Sequence, residues 1–89
     1  MSPLPSASSG TETLLIVENE PAISNLLQMA LRRNGYTVLA AGSGPEALEI
    51  VRQHTGAIHL LVTDVVMPDM EGPELVKHAL VLRPEMRTL

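Results

Sequence analysis

The chain has 89 residues, ten acidic and six basic side chains, a formal net charge of −4 and a hydrophobic fraction of 45%. That length allows one small domain with a thin core, and the charge argues against a phosphate-backbone partner. Tyr36 is the single aromatic and cysteine is absent, which argues against base stacking and excludes disulfide and thiolate chemistry.

Residues 1–11 are rich in Ser, Pro and Gly and carry no apolar period, so they read as a flexible tail or linker. They lack the charged region and apolar core of a signal peptide. No apolar stretch approaches the roughly 20 residues of a membrane span. A soluble cytoplasmic domain without a membrane or nucleic-acid partner is the expectation.

From Thr13 onward, short apolar runs alternate with helical patterns. Thr13 to Val17 is a continuous apolar run of strand length, as expected where both faces of a sheet are covered. Pro21 follows and suits the first turn of a helix, where its missing N–H costs nothing. Ile23, Leu26, Leu27, Ala30 and Leu31 recur at helical spacing and predict one inward face. Arg32-Arg33 complements the negative helix end, and Asn34-Gly35 stops the helix. Tyr36 to Ala41 reads as a second strand. Ser43-Gly44-Pro45-Glu46 has the form of a capping box opening a second helix, with Ala47, Leu48 and Val51 inward and His54-Thr55-Gly56 at its end. Ala57 to Thr63 contains a third strand. Gly72-Pro73 opens a third helix with Leu75, Val76, Ala79 and Leu80 on one face, and Arg83-Pro84 closes it. Met86 to Leu89 begins a fourth strand.

The predicted order is β-α-β-α-β-α and then the start of a strand. Each crossover is long enough for a helix, so the sheet should be parallel, with ligands gathering at the carboxyl ends of its strands. Asp64 falls at that edge, after Leu60-Leu61-Val62-Thr63, and Glu18-Asn19-Glu20 falls there after Leu14-Leu15-Ile16-Val17. Carboxylates crowded at one edge need a cation between them. A hard ion such as Mg²⁺ takes one or two carboxylates with backbone oxygen and water, which here means Asp64, the first-strand acids and a loop carbonyl near Val66. An aspartate so placed can attack phosphorus and become an acyl phosphate.

These segments resemble bacterial response-regulator receiver domains. Leu14-Leu15-Ile16-Val17-Glu18-Asn19-Glu20-Pro21-Ala22-Ile23 is similar to their first strand and acidic turn. The stretch from Leu60 through Asp64, Met67-Pro68 and Gly72 is similar to their phosphoacceptor strand and loop. Gly35-Tyr36-Thr37-Val38 and Gly44-Pro45-Glu46-Ala47-Leu48 match the segments between them. The likeness runs in order from Glu12 to Leu89, and leans towards receivers attached to sensor histidine kinases.

The resemblance implies a flavodoxin-like α/β fold, a parallel sheet flanked by helices and truncated after three βα units and the start of strand four. Residues 12–89 would form an incomplete receiver domain. It implies a signalling domain of a two-component phosphorelay rather than an enzyme. Asp64 would take a phosphoryl group, with Mg²⁺, from a histidine kinase or a histidine phosphotransfer protein. Glu18 would be the outer acid that orders a metal-bound water. Asn19 stands where the family usually has the aspartate that binds Mg²⁺ directly, and the backbone carbonyl of Val66 would complete the set. The strand-four hydroxyl and strand-five lysine of the family have no counterpart before Leu89, and Lys77 lies on the third helix by pattern. Apolar surface beside the first helix and an open edge at the third strand would then favour self-association through the truncated edge.

A second reading is a degenerate receiver acting only as a phosphorylation-independent interaction module. A phosphohydrolase of the haloacid dehalogenase type wants an aspartate where Val66 stands. A flavodoxin wants a hydroxyl-rich loop and aromatics that are absent here. Several residues have simpler expectations: Asn19 as the cap of the first helix, bonding near Ala22, and Glu20 as a first-turn acid. Asp69 and Glu71 read as solvated loop acids, and Arg32-Arg33 as a solvated helix end. His54, His59 and His78 read as surface or hydrogen-bonded side chains without metal-ligand spacing.

Overall fold

The computed structural model describes residues 12–63 and 72–88. In chain order these form β1 (Thr13–Val17), α1 (Pro21–Arg33), β2 (Thr37–Ala41), α2 (Gly44–Gln53), β3 (Leu60–Thr63), α3 (Gly72–Leu82) and β4 (Arg87–Thr88). The strands make one sheet in the order β2-β1-β3-β4, parallel at every pairing. The strand order reverses at β1, which has β2 on one side and β3 on the other. The tail at residues 1–11 lies outside the described residues.

Alternation along β1 divides the core into two. Leu15 and Val17 point to the face covered by α2 and α3, where they meet Ala47, Val51, Leu61, Leu75 and Ala79. Leu14 and Ile16 point to the α1 face with Tyr36, Val38 and Leu60. A strand buried on both faces cannot show polar alternation, which is why β1 reads as an unbroken apolar run. Among the described residues no helix is long and apolar enough to cross a membrane.

The helix ends follow local chemistry. Pro21 begins α1, and α1 closes with Gly35 at φ 94. There the Gly35 N–H donates to Arg32 O at 3.0 Å and the Tyr36 N–H to Leu31 O at 3.2 Å, a Schellman arrangement that also packs Tyr36 beside Leu31. At α2 the Ser43 hydroxyl accepts the Glu46 N–H at 3.2 Å. The return half of the expected capping box is displaced by one residue, because the Glu46 carboxylate accepts from Gly42 N–H at 2.7 Å instead of from Ser43.

Two expectations are corrected. Only part of the apolar period on α1 faces the sheet: Leu27 and Leu31 pack against it, while Ile23, Leu26 and Ala30 are exposed and Ser24 is the buried residue. A single helix lying on a twisted sheet buries a narrow stripe, and the α1 apolar residues span a wider arc than that stripe. The first half of the outer edge of β3 is also not open, since Leu60 and Leu61 pair with Arg87 and Thr88 of β4.

Arg83 does more than close α3. Its guanidinium donates to Val51 O at 2.9 Å, Gly56 O at 2.7 Å and His54 O at 2.6 Å. These are the carbonyls at and just beyond the C-terminal end of α2, where a cation is favoured and acceptors lack helical partners. Arg83→Ala is expected to cost about 2 kcal/mol, read from the urea midpoint, and Arg83→Lys to recover less than half of it because an ammonium cannot fork to three acceptors.

Candidate functional site

The carboxyl edge of the sheet is set by register. Val17 of β1 lies opposite Ala41 of β2 on one side and Thr63 of β3 on the other. The next residue after Val17 is Glu18, whose N–H donates to Ala41 O at 3.0 Å. The backbone of Glu18 therefore continues the β1 ladder while its side chain sits at the strand end. It is one of two buried polar residues among the described residues, only 8% exposed.

A carboxylate that buried needs a donor. The Glu18 Oε2 accepts the Glu20 N–H at 3.0 Å, folding the acid back over its own turn. That bond engages one of the two carboxylate oxygens. Asn19 and Glu20 are both exposed.

Asn19 does not cap α1. Glu20 occupies the cap position with φ −94 and ψ 109, no side chain bonds the first turn, and the Glu20 carbonyl accepts the Ser24 N–H at 2.9 Å. Glu20 is accordingly the residue before the helix, not a first-turn acid. The Asn19 amide has no capping bond to hold it.

Several polar groups elsewhere among the described residues are engaged in structure. Glu46 holds the Gly42–Ser43 turn. The Arg32 guanidinium donates to Val38 O at 3.1 Å, which ties the end of α1 to β2 and corrects its reading as a purely solvated residue. His59 Nδ1 accepts the Thr13 N–H at 2.9 Å at the opposite edge of the sheet, and exposed His78 lies 3.9 Å from Glu74 on α3. His59 is thus a hydrogen-bonded side chain and His78 a surface one.

The structure places Glu18 and Asn19 together at the end of β1, beside the end of β3. Asp64 and Val66 lie outside the described residues, as do Asp69 and Glu71. Among the described residues no group of three or more His, Asp or Glu side chains is arranged to hold a metal ion. Sequence reasoning missed the Glu18–Glu20 bond and the Arg83 clamp. Neither leaves a local signal: the first depends on a turn angle, and the second joins residues 27 to 32 positions apart.

Comparison with known proteins identifies the family. A family model described as the response regulator receiver domain matches residues 14–88. The chain is 43% identical over 79 residues to the sensor kinase CckA of Brucella abortus, covering 89% of this chain and 8% of that protein. It is 41% identical over 64 residues to the alkaline phosphatase synthesis transcriptional regulatory protein PhoP of Bacillus subtilis, covering 72% of this chain and 26% of that one. The chain therefore spans a small part of these curated relatives. Among solved structures, the receiver domain of the hybrid histidine kinase CckA superposes with a TM-score of 0.76 at 35% identity, covering 86% of this chain and 82% of that chain. The response regulator TrrA of Thermotoga maritima, solved in complex with Mg²⁺ and BeF, superposes with a TM-score of 0.75 at 28% identity, covering 86% and 65%.

Proposed function

The chain belongs to the response regulator receiver family of two-component systems, and from that premise we propose that it accepts a phosphoryl group on Asp64, with Mg²⁺, from a phosphohistidine donor. The supporting observation is the register of β1 and β3. Val17 and Thr63 are partners, so the residues that follow them start from neighbouring strand ends, roughly 4.8 Å apart in a parallel sheet. Asp64 is one peptide bond beyond Thr63, and Glu18 is one beyond Val17.

The donor chemistry at this edge fits a hard cation. Glu18 offers a carboxylate, Asn19 an exposed side-chain amide, and the sequence adds Asp64 and the Val66 carbonyl. These are the residues that would hold Mg²⁺, which supplies charge neutralisation for the incoming phosphate. In the transfer, an Asp64 carboxylate oxygen attacks phosphorus, the P–N bond of the donor breaks, and its electron pair stays on the imidazole nitrogen. Glu18, anchored by the Glu20 N–H, holds its carboxyl group beside the reacting edge. The partner is a histidine kinase or a histidine phosphotransfer protein, the receiver unit is residues 12–89, and the setting is the cytoplasm.

The test is incubation with Mg²⁺ and acetyl phosphate, followed by intact-mass measurement. A Mg²⁺-dependent phosphoryl adduct is expected. Its absence from a folded chain would favour the second reading, an interaction-only module, which the amide at Asn19 supports.

Asn19 also yields a graded prediction. Asn19→Asp adds a formal charge within a few ångström of the cation, and attraction at a solvated edge, reduced by desolvation, is worth about 1.4 kcal/mol. Mg²⁺ should then bind about tenfold more tightly, measured by calorimetry. An unchanged affinity would remove Asn19 from the ligand set.

A further inference from the structure

Among the described residues β2 lies at one edge of the sheet, paired with β1 on its inner side. The Thr37 N–H donates to Glu12 O at 3.0 Å, and Ala41 O accepts the Glu18 N–H at 3.0 Å. Thr37, Leu39 and Ala41 therefore turn their backbone groups towards β1. By alternation, the N–H and C=O of Val38 and Ala40 point out of the sheet. These groups sit in the segment Tyr36-Thr37-Val38-Leu39-Ala40-Ala41, and no charged residue occurs between Arg33 and Glu46. An uncharged strand without proline, presenting an outward row of backbone donors and acceptors, is a template for a second chain. The opposite edge has its own protection, since β4 is two residues long and one of them is Arg87.

β2 holds no such residue, and one comes to it from α1. The Arg32 guanidinium donates to Val38 O at 3.1 Å, one of the two outward carbonyls. The turn between them sets this approach. Gly35 at φ 94 reverses the chain directly after α1, so the last helical turn lies close to the second residue of β2.

We propose that Arg32 guards this edge: its guanidinium holds the outward Val38 carbonyl and so keeps β2 from pairing with β2 of a second copy. Symmetry fixes the pairing that is prevented. Two copies related by a two-fold axis would join their β2 strands antiparallel, with Leu39 opposite Leu39. Val38 of each copy would then face Ala40 of the other, and each such pair would exchange both of its N–H to O bonds. Val38 O is an acceptor in both pairs, so a guanidinium on each Val38 O denies half of that ladder. It also sets a charge in the space that an added strand needs. Arg33 is exposed and carries the same charge, but the bond to β2 belongs to Arg32. This role is independent of the phosphoacceptor reading.

Sedimentation velocity of the full chain beside Arg32→Met tests it. Met keeps the apolar stem and removes the guanidinium. Arg32→Met should associate at a concentration at least about tenfold lower than the wild type needs, while remaining folded by circular dichroism. Arg33→Ala, which removes the same charge from the next position, should behave as the wild type. Amide exchange should show the Val38 and Ala40 N–H groups protected in the associated variant and fast in the monomer. Ala40→Pro added to Arg32→Met removes an outward N–H that the ladder to β1 does not use, and should restore the monomer. Arg32→Gln is read in the same way and supplies the test if Arg32→Met does not fold. A folded Arg32 variant that associates no more readily than the wild type overturns the proposal. Equal association of Arg33→Ala overturns it by making net charge the cause. Association without protection at Val38 and Ala40 overturns it by placing the contact on another surface.

Discussion

Asp64→Asn is expected to abolish the Mg²⁺-dependent adduct formed with acetyl phosphate, leaving a signal at the level of a no-donor control. The substitution keeps side-chain size and removes the nucleophile, since an amide oxygen attacks phosphorus far more weakly than a carboxylate. Among the described residues no other acid near that edge is placed to substitute. Glu18 is buried, with one oxygen bound to the Glu20 N–H, and Glu46 is bound to Gly42 N–H. Glu20 is exposed, but it precedes α1 on a longer and freer side chain. Glu20→Gln should therefore retain the adduct. An adduct that persists in Asp64→Asn, located by peptide mapping on another carboxylate, would falsify the assignment of Asp64.

Leu15→Ala is the second change with a large effect, and it acts on stability. Leu15 is fully buried in β1, the strand paired on both sides, and it packs against the α2 and α3 layer. Removing its branched end from a closed core costs about 3–4 kcal/mol, the lost transfer energy together with the cavity left behind. A domain of this size has a total stability on the order of 4–10 kcal/mol, so a large part of the margin disappears. Urea unfolding monitored by circular dichroism should show the midpoint fall steeply. Leu15→Met, which keeps the volume, should cost less than about 1.5 kcal/mol. If Leu15→Ala cost no more than Leu15→Met, the core around β1 would be looser than the packing described above.

The two changes separate site from scaffold. Asp64→Asn should leave the urea midpoint nearly unchanged while removing the adduct. Leu15→Ala should lower the adduct only in proportion to the folded fraction. Neither outcome alone distinguishes a catalytic loss from an unfolded chain, but the pair does.

Much of the fold is legible residue by residue. The strand at Thr13–Val17 matches its predicted bounds because an apolar run of that length between polar residues has one way to be buried. Pro21 marks the start of α1, Ser43 caps α2, and Gly35 adopts the positive φ that ends α1. These are local effects, each decided by one side chain and its own backbone. That β1 and β3 are neighbours comes from the register, which sets the Glu18 edge beside the end of β3.

The alternation of strands and helices, most of their ends, and the edge at which Glu18 and Asn19 leave the sheet were therefore legible in the chain alone. Period and capping are short-range properties, and the chain carries them without reference to distant contacts. Tertiary structure alone decided which side of α1 lies on the sheet, which backbone group holds the buried Glu18 carboxylate, and which carbonyls Arg83 ties together. Each of those depends on the distance between parts of the chain far apart in sequence, or on a turn angle that no single residue type dictates. Helical period shows that α1 has an apolar face, but only packing shows that Leu27 and Leu31 are covered and Leu26 is not.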